Sequence, residues 1–185
     1  MKLQVVLVPA ALLFFSGLAL ADEPPSWSKF ESASANGRFR AEVRVKEKSA
    51  GTNPWDSKYQ LSVFEVSRQS GTPIWSCDYD YDGYPDGMLS DDGSTFVYVN
   101  SWYYADSPAV SVYHNGKKVG ILRGQDFKIA QSKLRRSASH ELWLDESEMP
   151  HARFVSTPNL PLALEVRTID KNIHLIDVAS AKILK

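Results

Sequence analysis

Acidic residues alternate with tyrosines in the segment Asp78-Tyr79-Asp80-Tyr81-Asp82-Gly83. In a calcium loop, alternate carboxylates converge on one ion, and a glycine at the sixth position permits a sharp turn. The first six positions fit this pattern, but position 12, where a glutamate would close the site, is Leu89. The segment therefore predicts a Ca²⁺ site that lacks its usual closing ligand. The predicted metal ligands are Asp78, Asp80, Asp82 and Asp86.

Two other interpretations of this segment stay open. The aspartates of a surface loop often form turns with following glycines, here Gly83 and Gly87, without binding any ion. Neighbouring carboxylates also serve as the acid and base of glycosidases, so the segment Asp78–Asp92 is a candidate for an exported hydrolase. The sequence thus leaves an acidic surface loop, a metal site and a catalytic carboxylate pair as alternatives.

Aromatic residues bracket the acidic segment in the sequence. Tyrosine and tryptophan rings offer flat faces to sugars and to the side chains of partner proteins. The predicted binding residues are Tyr79, Tyr81, Tyr84, Trp102, Tyr103 and Tyr104. The partner expected at such a face is a protein or a glycan.

Other catalytic and metal-binding motifs are missing from the sequence. The four histidines have no metal-ligand spacing, and a single cysteine, Cys77, supplies neither a cysteine-based metal site nor an internal disulfide. The sequence has no Gly-x-Ser-x-Gly elbow and no glycine-rich phosphate loop. These absences favour a non-catalytic binding module, with the hydrolase and a calcium-stabilised structural domain as alternatives.

The first 21 residues have the composition of a secretory signal peptide. Lys2 precedes an apolar run, and Ala19-Leu20-Ala21 forms a small-x-small cleavage site before Asp22. A retained membrane anchor is the alternative, but Pro9 and Gly17 interrupt the run. We therefore expect an exported protein, periplasmic or secreted, with no stable membrane insertion after cleavage.

The net charge limits the kinds of partner to expect, and the chain length limits the number of domains. The chain has 21 Lys and Arg against 22 Asp and Glu, which gives no electrostatic attraction to nucleic acid. Residues 22–33, which contain Pro24-Pro25, are predicted to be an extended leader. Residues 34–185 are long enough for one hydrophobic core and are predicted to form a single β-rich domain.

Period-two alternation of apolar residues predicts β-strands along most of this domain. Asn115-Gly116 predicts a tight hairpin turn, and Ser70-Gly71 predicts a second hairpin. One helix is predicted, over Asp126–Arg136. The predicted strands are residues 38–46, Tyr59–Val66, Phe96–Asn100, Ala109–His114, Val119–Leu122, Leu162–Thr168 and Ile173–Val178.

A Ser-x-Asx-Gly turn followed directly by a strand occurs twice, at Ser34–Gly37 and at Ser90–Gly93, and a hairpin follows each copy. A weaker third copy is predicted from Ser137 through Leu142-Trp143-Leu144 to the hairpin at 162–178. This pattern resembles the blades of a β-propeller, in which a turn, a strand and an outer hairpin recur. The resemblance implies antiparallel sheets of blade-like hairpins, and about three blades would leave an open stack or require oligomers.

The fold class predicted from these patterns is mainly β, with antiparallel sheets of blade-like hairpins. A β-sandwich and an α+β domain are the alternatives. Propeller blades carry many unrelated functions, so the resemblance by itself names no activity.

Overall fold

The computed structural model of the chain describes residues 24–51, 53–68, 71–147 and 149–184. The predicted signal peptide at 1–21 lies outside the described residues. The prediction of a mainly β fold with antiparallel sheets is confirmed. The strands are β1 (Phe30–Ala33), β2 (Phe39–Glu47), β3 (Lys58–Glu65), β4 (Trp75–Tyr79), β5 (Met88–Leu89), β6 (Thr95–Val99), β7 (Pro108–His114), β8 (Lys117–Arg123), β9 (Arg135–Arg136), β10 (Glu141–Leu142), β11 (Ala152–Thr157), β12 (Leu160–Arg167), β13 (Ile173–Asp177) and β14 (Lys182–Ile183).

Three sheets each contain four antiparallel strands that follow one another in the chain. Sheet 1 contains β1–β4, sheet 2 contains β5–β8, and sheet 3 contains β11–β14. Strands β9 and β10 form a separate two-stranded hairpin between sheets 2 and 3 in the chain. Each four-stranded sheet is thus a meander of consecutive hairpins, and membership of the propeller family stays a prediction.

Sheet 2 is the middle layer, because hydrophobic clusters cover both of its faces. Phe96 and Tyr113 belong to the cluster shared with sheet 1, whereas Val97, Val110 and Val112 belong to the cluster shared with sheet 3. All five residues of β6 are buried. A strand covered on both faces consists almost entirely of apolar and β-branched residues, which is the composition of this segment.

The outer faces of sheets 1 and 3 carry charged residues instead. On sheet 1, Glu42 is buried and forms ion pairs with Arg40 and Arg44, which lie two residues before and after it on β2. On sheet 3, Glu165 forms ion pairs with Arg153 and Arg167. The alternation of charged and apolar residues along β2 therefore follows from a strand with one face on the core.

The repeated Ser-x-Asx-Gly sequence forms the same turn at both positions. The serine hydroxyl donates a hydrogen bond to the Asx side chain, over 2.8 Å for Ser34 and 2.6 Å for Ser90. The serine carbonyl accepts from the glycine amide at 2.9 Å in both turns. Gly37 and Gly93 have φ angles of 69° and 70°, which residues with a Cβ rarely adopt. The first two predicted repeats are therefore alike in local structure.

The two turns also join sheet 1 to sheet 2. The backbone amide of Asn36 donates to Asp91 Oδ1 at 2.8 Å, and its side-chain amide donates to the Asp91 carbonyl at 2.8 Å. Ser34 and Leu89 form a parallel bridge. These contacts fix the spacing of the two sheets at the β1 and β5 edges.

Both predicted hairpins are present. Asn115 and Gly116 have positive φ angles of 47° and 77°, and His114 pairs with Lys117, which gives a two-residue turn. Strands β3 and β4 pair antiparallel as predicted, although residue 70 of the predicted turn lies outside the described residues.

Three predictions about secondary structure were wrong. The predicted helix at Asp126–Arg136 is replaced by short 3₁₀ segments, Gly124–Phe127 and Gln131–Lys133, followed by β9. Lys128, with a φ of 54°, ends the first segment in a left-handed conformation that an α-helix cannot continue through.

No helix in the described part of the chain has the length and apolar character of a membrane span.

The second correction concerns the leader, whose last residues, Phe30–Ala33, form β1 and pair with β2. The third concerns the weakest repeat. Ser137 and Leu142 lie in or beside the β9–β10 hairpin, and sheet 3 begins only at Ala152. Strand β11 was missed because its place in sheet 3 depends on pairing with β12 and on no local sequence signal.

The paired turns provide a matched stability test. Gly37→Ala should lower the free energy of unfolding by about 1–2 kcal/mol, the cost of a left-handed conformation for a residue with a Cβ. Gly93→Ala should cost about 1–3 kcal/mol more through overpacking, because its Cβ would lie 2.5 Å from Phe39 Cδ1, whereas no atom lies within 4 Å at Gly37. Urea unfolding measures both variants, and equal losses would contradict the packing of sheet 1 on this turn.

Candidate binding cleft

A cavity of about 380 Å³ lies where β4 ends, β6 ends and β7 begins. We call it the aromatic cleft. Four of the six aromatic residues predicted to bind a partner line it, together with two of the four predicted metal ligands. The lining residues are Asp80, Tyr81, Asp82, Tyr84, Tyr98, Asn100, Trp102, Tyr104, Ser107, Pro108 and Ser111.

The floor of the aromatic cleft comes from the middle sheet. Tyr98 pairs with Ser111 across β6 and β7, and both residues are buried. Because side chains alternate along a strand, Tyr98 lies on the same face as Phe96, which packs towards sheet 1. The cleft is therefore on the sheet 1 side of sheet 2, next to their shared core.

Asp82 places a half-buried carboxylate in the cleft. Burial raises the pKa of Asp82, while hydrogen bonds from the Tyr98 hydroxyl and the Tyr84 amide oppose that rise. The Tyr84 amide lies 3.3 Å from Asp82 Oδ1. Burial also raises the pKa of Tyr98, which keeps its hydroxyl protonated as the donor.

Trp102 is held in place from several directions. Its backbone amide donates to Asn100 Oδ1 at 2.9 Å, and the buried Trp143 indole donates to the Asn100 carbonyl at 2.7 Å. The Trp102 ring stacks on His140 with centroids 4.5 Å apart and meets Tyr84 edge-on at 6.4 Å. An aromatic wall of Tyr84 and Trp102 is thus fixed before any ligand arrives.

The N-terminal segment supports the loop that carries Asp82. The Ser26 amide donates to the Gly83 carbonyl at 2.8 Å, and the rings of Trp27 and Tyr81 lie 5.6 Å apart. A Cβ on Gly83, whose φ is 93°, would lie 2.6 Å from Pro25 Cβ. Part of the predicted leader therefore packs against the cleft loop.

Three residues that the sequence assigned to the binding face, Tyr79, Tyr81 and Tyr103, are buried in the core, although Tyr81 also lines the cleft. Tyr79 is buried among the aromatic rings between sheets 1 and 2, and Tyr103 is buried in the cluster between sheets 2 and 3. Burial holds the pKa of Tyr79 well above its usual value. Strand alternation explains the error for Tyr79, because it points to the opposite side of β4 from Asp78.

The four predicted metal ligands have separate partners. Asp78 accepts a hydrogen bond from Lys46 Nζ at 2.6 Å, Asp80 pairs with Lys118, and Asp86 accepts from the Gly87 amide at 2.6 Å. Among residues 24–51, 53–68, 71–147 and 149–184, no group of three or more Asp, Glu, His or Cys side chains is arranged to hold a metal ion. The structure does not bring these carboxylates together as calcium ligands.

The remaining aspartates of the acidic segment stabilise turns. Asp91 accepts the Asn36 amide that joins sheets 1 and 2, as described above. Asp92 accepts hydrogen bonds from Ser90 Oγ at 2.6 Å and from the Ser94 amide at 2.9 Å. Of the aspartates in the predicted catalytic segment Asp78–Asp92, all of which the structure describes, only Asp80 and Asp82 line the aromatic cleft.

Sequence reasoning missed the polar floor of the cleft. Asn100 and Ser111 are buried polar residues in or beside otherwise apolar strands, and that contrast was the available signal. In the sequence, Tyr98 has no feature that separates it from other strand residues. The pairing of β6 with β7 and the fold of the 80–84 loop bring it next to Asp82.

Comparison with protein families finds no matching family model, and comparison with curated proteins finds no similar sequence. Function must therefore be inferred from the cleft itself.

Addition of calcium should leave stability unchanged, because the carboxylates are paired with lysines and backbone amides at separate positions. The melting temperature in excess EDTA and in millimolar Ca²⁺ should agree within about 1 °C, since only an ion that binds the folded state raises it. Differential scanning calorimetry measures this, and Asp80→Asn is the control. A rise of several degrees that disappears in Asp80→Asn would contradict the assignment.

Proposed function

We propose that this protein is an exported, non-catalytic binding module whose aromatic cleft holds a polar group of a protein or glycan partner. The observation that carries the proposal is the cleft itself, in which aromatic walls surround buried polar side chains. Small-ligand sites have this composition, and a volume of about 380 Å³ falls in their usual range.

The rigidity of the lining supports a binding role. Tyr98 and Ser111 belong to paired strands of the middle sheet, and Trp102 is fixed by Asn100 and His140. A site whose side chains are already ordered loses less conformational entropy when a ligand binds. The scaffold therefore favours recognition by a preformed surface.

A second cavity extends the surface available to a partner. Its volume is about 510 Å³, and it shares Tyr84, Tyr98, Asn100 and Trp102 with the aromatic cleft. A ligand longer than one sugar ring or one side chain would therefore contact both sides of the wall formed by Tyr84 and Trp102.

The hydrolase alternative is favoured by one observation. Asp82 has a pKa raised by burial and shares the aromatic cleft with Asp80, and a carboxyl of raised pKa beside a second carboxylate is an arrangement that glycosidases use. In this alternative Asp82 would donate a proton to the leaving oxygen of a glycoside.

Binding should depend on the aromatic wall. Printed arrays of glycans and of peptides, probed with the purified protein, should give ligands whose signal falls at least about tenfold in Trp102→Ala and in Tyr84→Ala, because each ring supplies stacking area worth more than 1 kcal/mol. Phe64→Ala is the matched control, since the Phe64 ring lies under Arg40 on the outer face of sheet 1.

Three results would count against this function. Array ligands that bind both wall variants as tightly as the native protein would place the site elsewhere. No bound glycan or peptide would overturn recognition of either partner class. Hydrolysis of a bound glycan, lost in Asp82→Asn while binding is retained, would establish the hydrolase instead.

A further inference from the structure

We infer that the aromatic cleft recognises an organic cation: an ammonium or guanidinium group that lies between the aromatic rings and the carboxylate of Asp82. This inference rests on the proposed function and specifies the chemistry of its ligand. The recognised group is inferred to carry a positive charge because of the carboxylates and the aromatic rings that line the cleft.

The charges in the cleft lining are all negative. Asp80 and Asp82 contribute carboxylates, and none of the described residues that line the cleft is a lysine, arginine or histidine. Lys118, on β8, pairs with Asp80 from outside the lining. A ligand entering the cleft therefore meets an uncompensated carboxylate at Asp82.

Asp82 accepts a hydrogen bond from the Tyr84 amide, and no ion pair joins it to a lysine or arginine in the part of the chain that the structure describes. The groups that stabilise its charged form are the Tyr98 hydroxyl and the backbone amides of Tyr84 and of Asp82 itself. Taking a carboxylate out of water costs free energy unless an opposite charge accompanies it. A cationic ligand would supply that charge at the one position in the cleft where the described residues supply none.

Three accessible aromatic residues complete the environment that a cation requires. Tyr84, Trp102 and Tyr104 line the same cavity, whereas the Tyr81 ring, which also borders it, is buried in the core shared by sheets 1 and 2. The faces of aromatic rings carry negative electrostatic potential, and cages of such rings are a recurring recognition site for quaternary ammonium and methylated amine groups. A neutral sugar would use the rings but would not need the carboxylate charge.

The adjoining cavity has the same electrostatic character. Asp86 and Glu146 line it beside Tyr84 and Trp102, and the lining residues that the structure describes include no lysine, arginine or histidine. Glu146 pairs with Arg135 outside that lining. Carboxylates thus lie on both sides of the aromatic wall, which favours positively charged ligands along its whole length.

Two probes of equal shape test the charge directly. Choline and its neutral carbon isostere, 3,3-dimethylbutan-1-ol, should be titrated into the full protein while the heat of binding is recorded by isothermal titration calorimetry. The native protein should bind choline at least about tenfold more tightly than the isostere, because only choline gains the cation–π and carboxylate attraction. Equal affinities for choline and the isostere, with no binding of an arginine or lysine probe, would overturn the inference.

Asp82→Asn gives the matched variant, because it removes the charge and keeps the shape. It should weaken choline binding about tenfold and leave the isostere unchanged. Asp56→Asn, at an exposed carboxylate on a 3₁₀ turn outside the cleft, should change neither affinity. Circular dichroism and the melting temperature establish that both variants are folded. Choline affinity unchanged by Asp82→Asn would contradict the role of that carboxylate.

The source of the cation is distinguished by further arms of the same titration. N-acetyl-arginine amide, N-acetyl-lysine amide and its trimethylated form represent side chains of a protein partner, whereas choline represents a free or headgroup quaternary ammonium. Tighter binding of an amino-acid probe assigns the site to a protein, and tighter binding of choline assigns it to a small-molecule or headgroup ligand. An array ligand that needs Trp102 but carries no positive charge would preserve the proposed function and refute the cation.

Discussion

Burial of sheet 2 on both faces is the constraint on which the rest of the structure depends. Its strands present Phe96 and Tyr113 to sheet 1 and Val97, Val110 and Val112 to sheet 3, so neither outer sheet can be removed without exposing apolar surface of the middle sheet. The outer sheets need cover on one face only, and they carry arginine–glutamate networks on the other. Three sheets in one stack therefore provide a core for a chain whose one cysteine cannot form an internal disulfide.

The cleft depends on the same constraint. Tyr98 near the end of β6 and Asn100 just after it lie at the edge of the buried region. Tyr98 forms part of the floor of the cleft, and Asn100 supports Trp102 through a hydrogen bond. The other wall comes from the loop after β4, which the N-terminal segment holds through Gly83. A polar, aromatic surface is thereby built at the edge of an apolar core, where half-buried Asp82 is accessible to a ligand and still shielded from bulk water.

The period-two strands, the Asn115-Gly116 turn and the two serine-containing turns were predictable, because each depends on residues close together in the sequence. The third sheet was predicted with the wrong first strand, because its boundary depends on pairing between β11 and β12 and on no local signal. Of the aromatic residues predicted to bind a partner, Tyr84, Trp102 and Tyr104 border one cavity, and their role in binding stays a prediction. Tyr79 and Tyr81 are buried in the core, and the sequence could not show this because burial depends on which sheet covers them. The partnership of Tyr98 with Asp82 joins distant segments and has no signature in the sequence.

The central claim, that a middle sheet covered on both faces supports the cleft, is tested most directly by native-state hydrogen exchange. Amides of β6 and β7, including those of Tyr98 and Ser111 beneath the cleft, should exchange only through global unfolding, because opening them would expose both hydrophobic clusters. Amides of the short strand β14, at the edge of sheet 3, should exchange through smaller openings. Exchange of β6 and β7 at the rate of β14 would contradict the account.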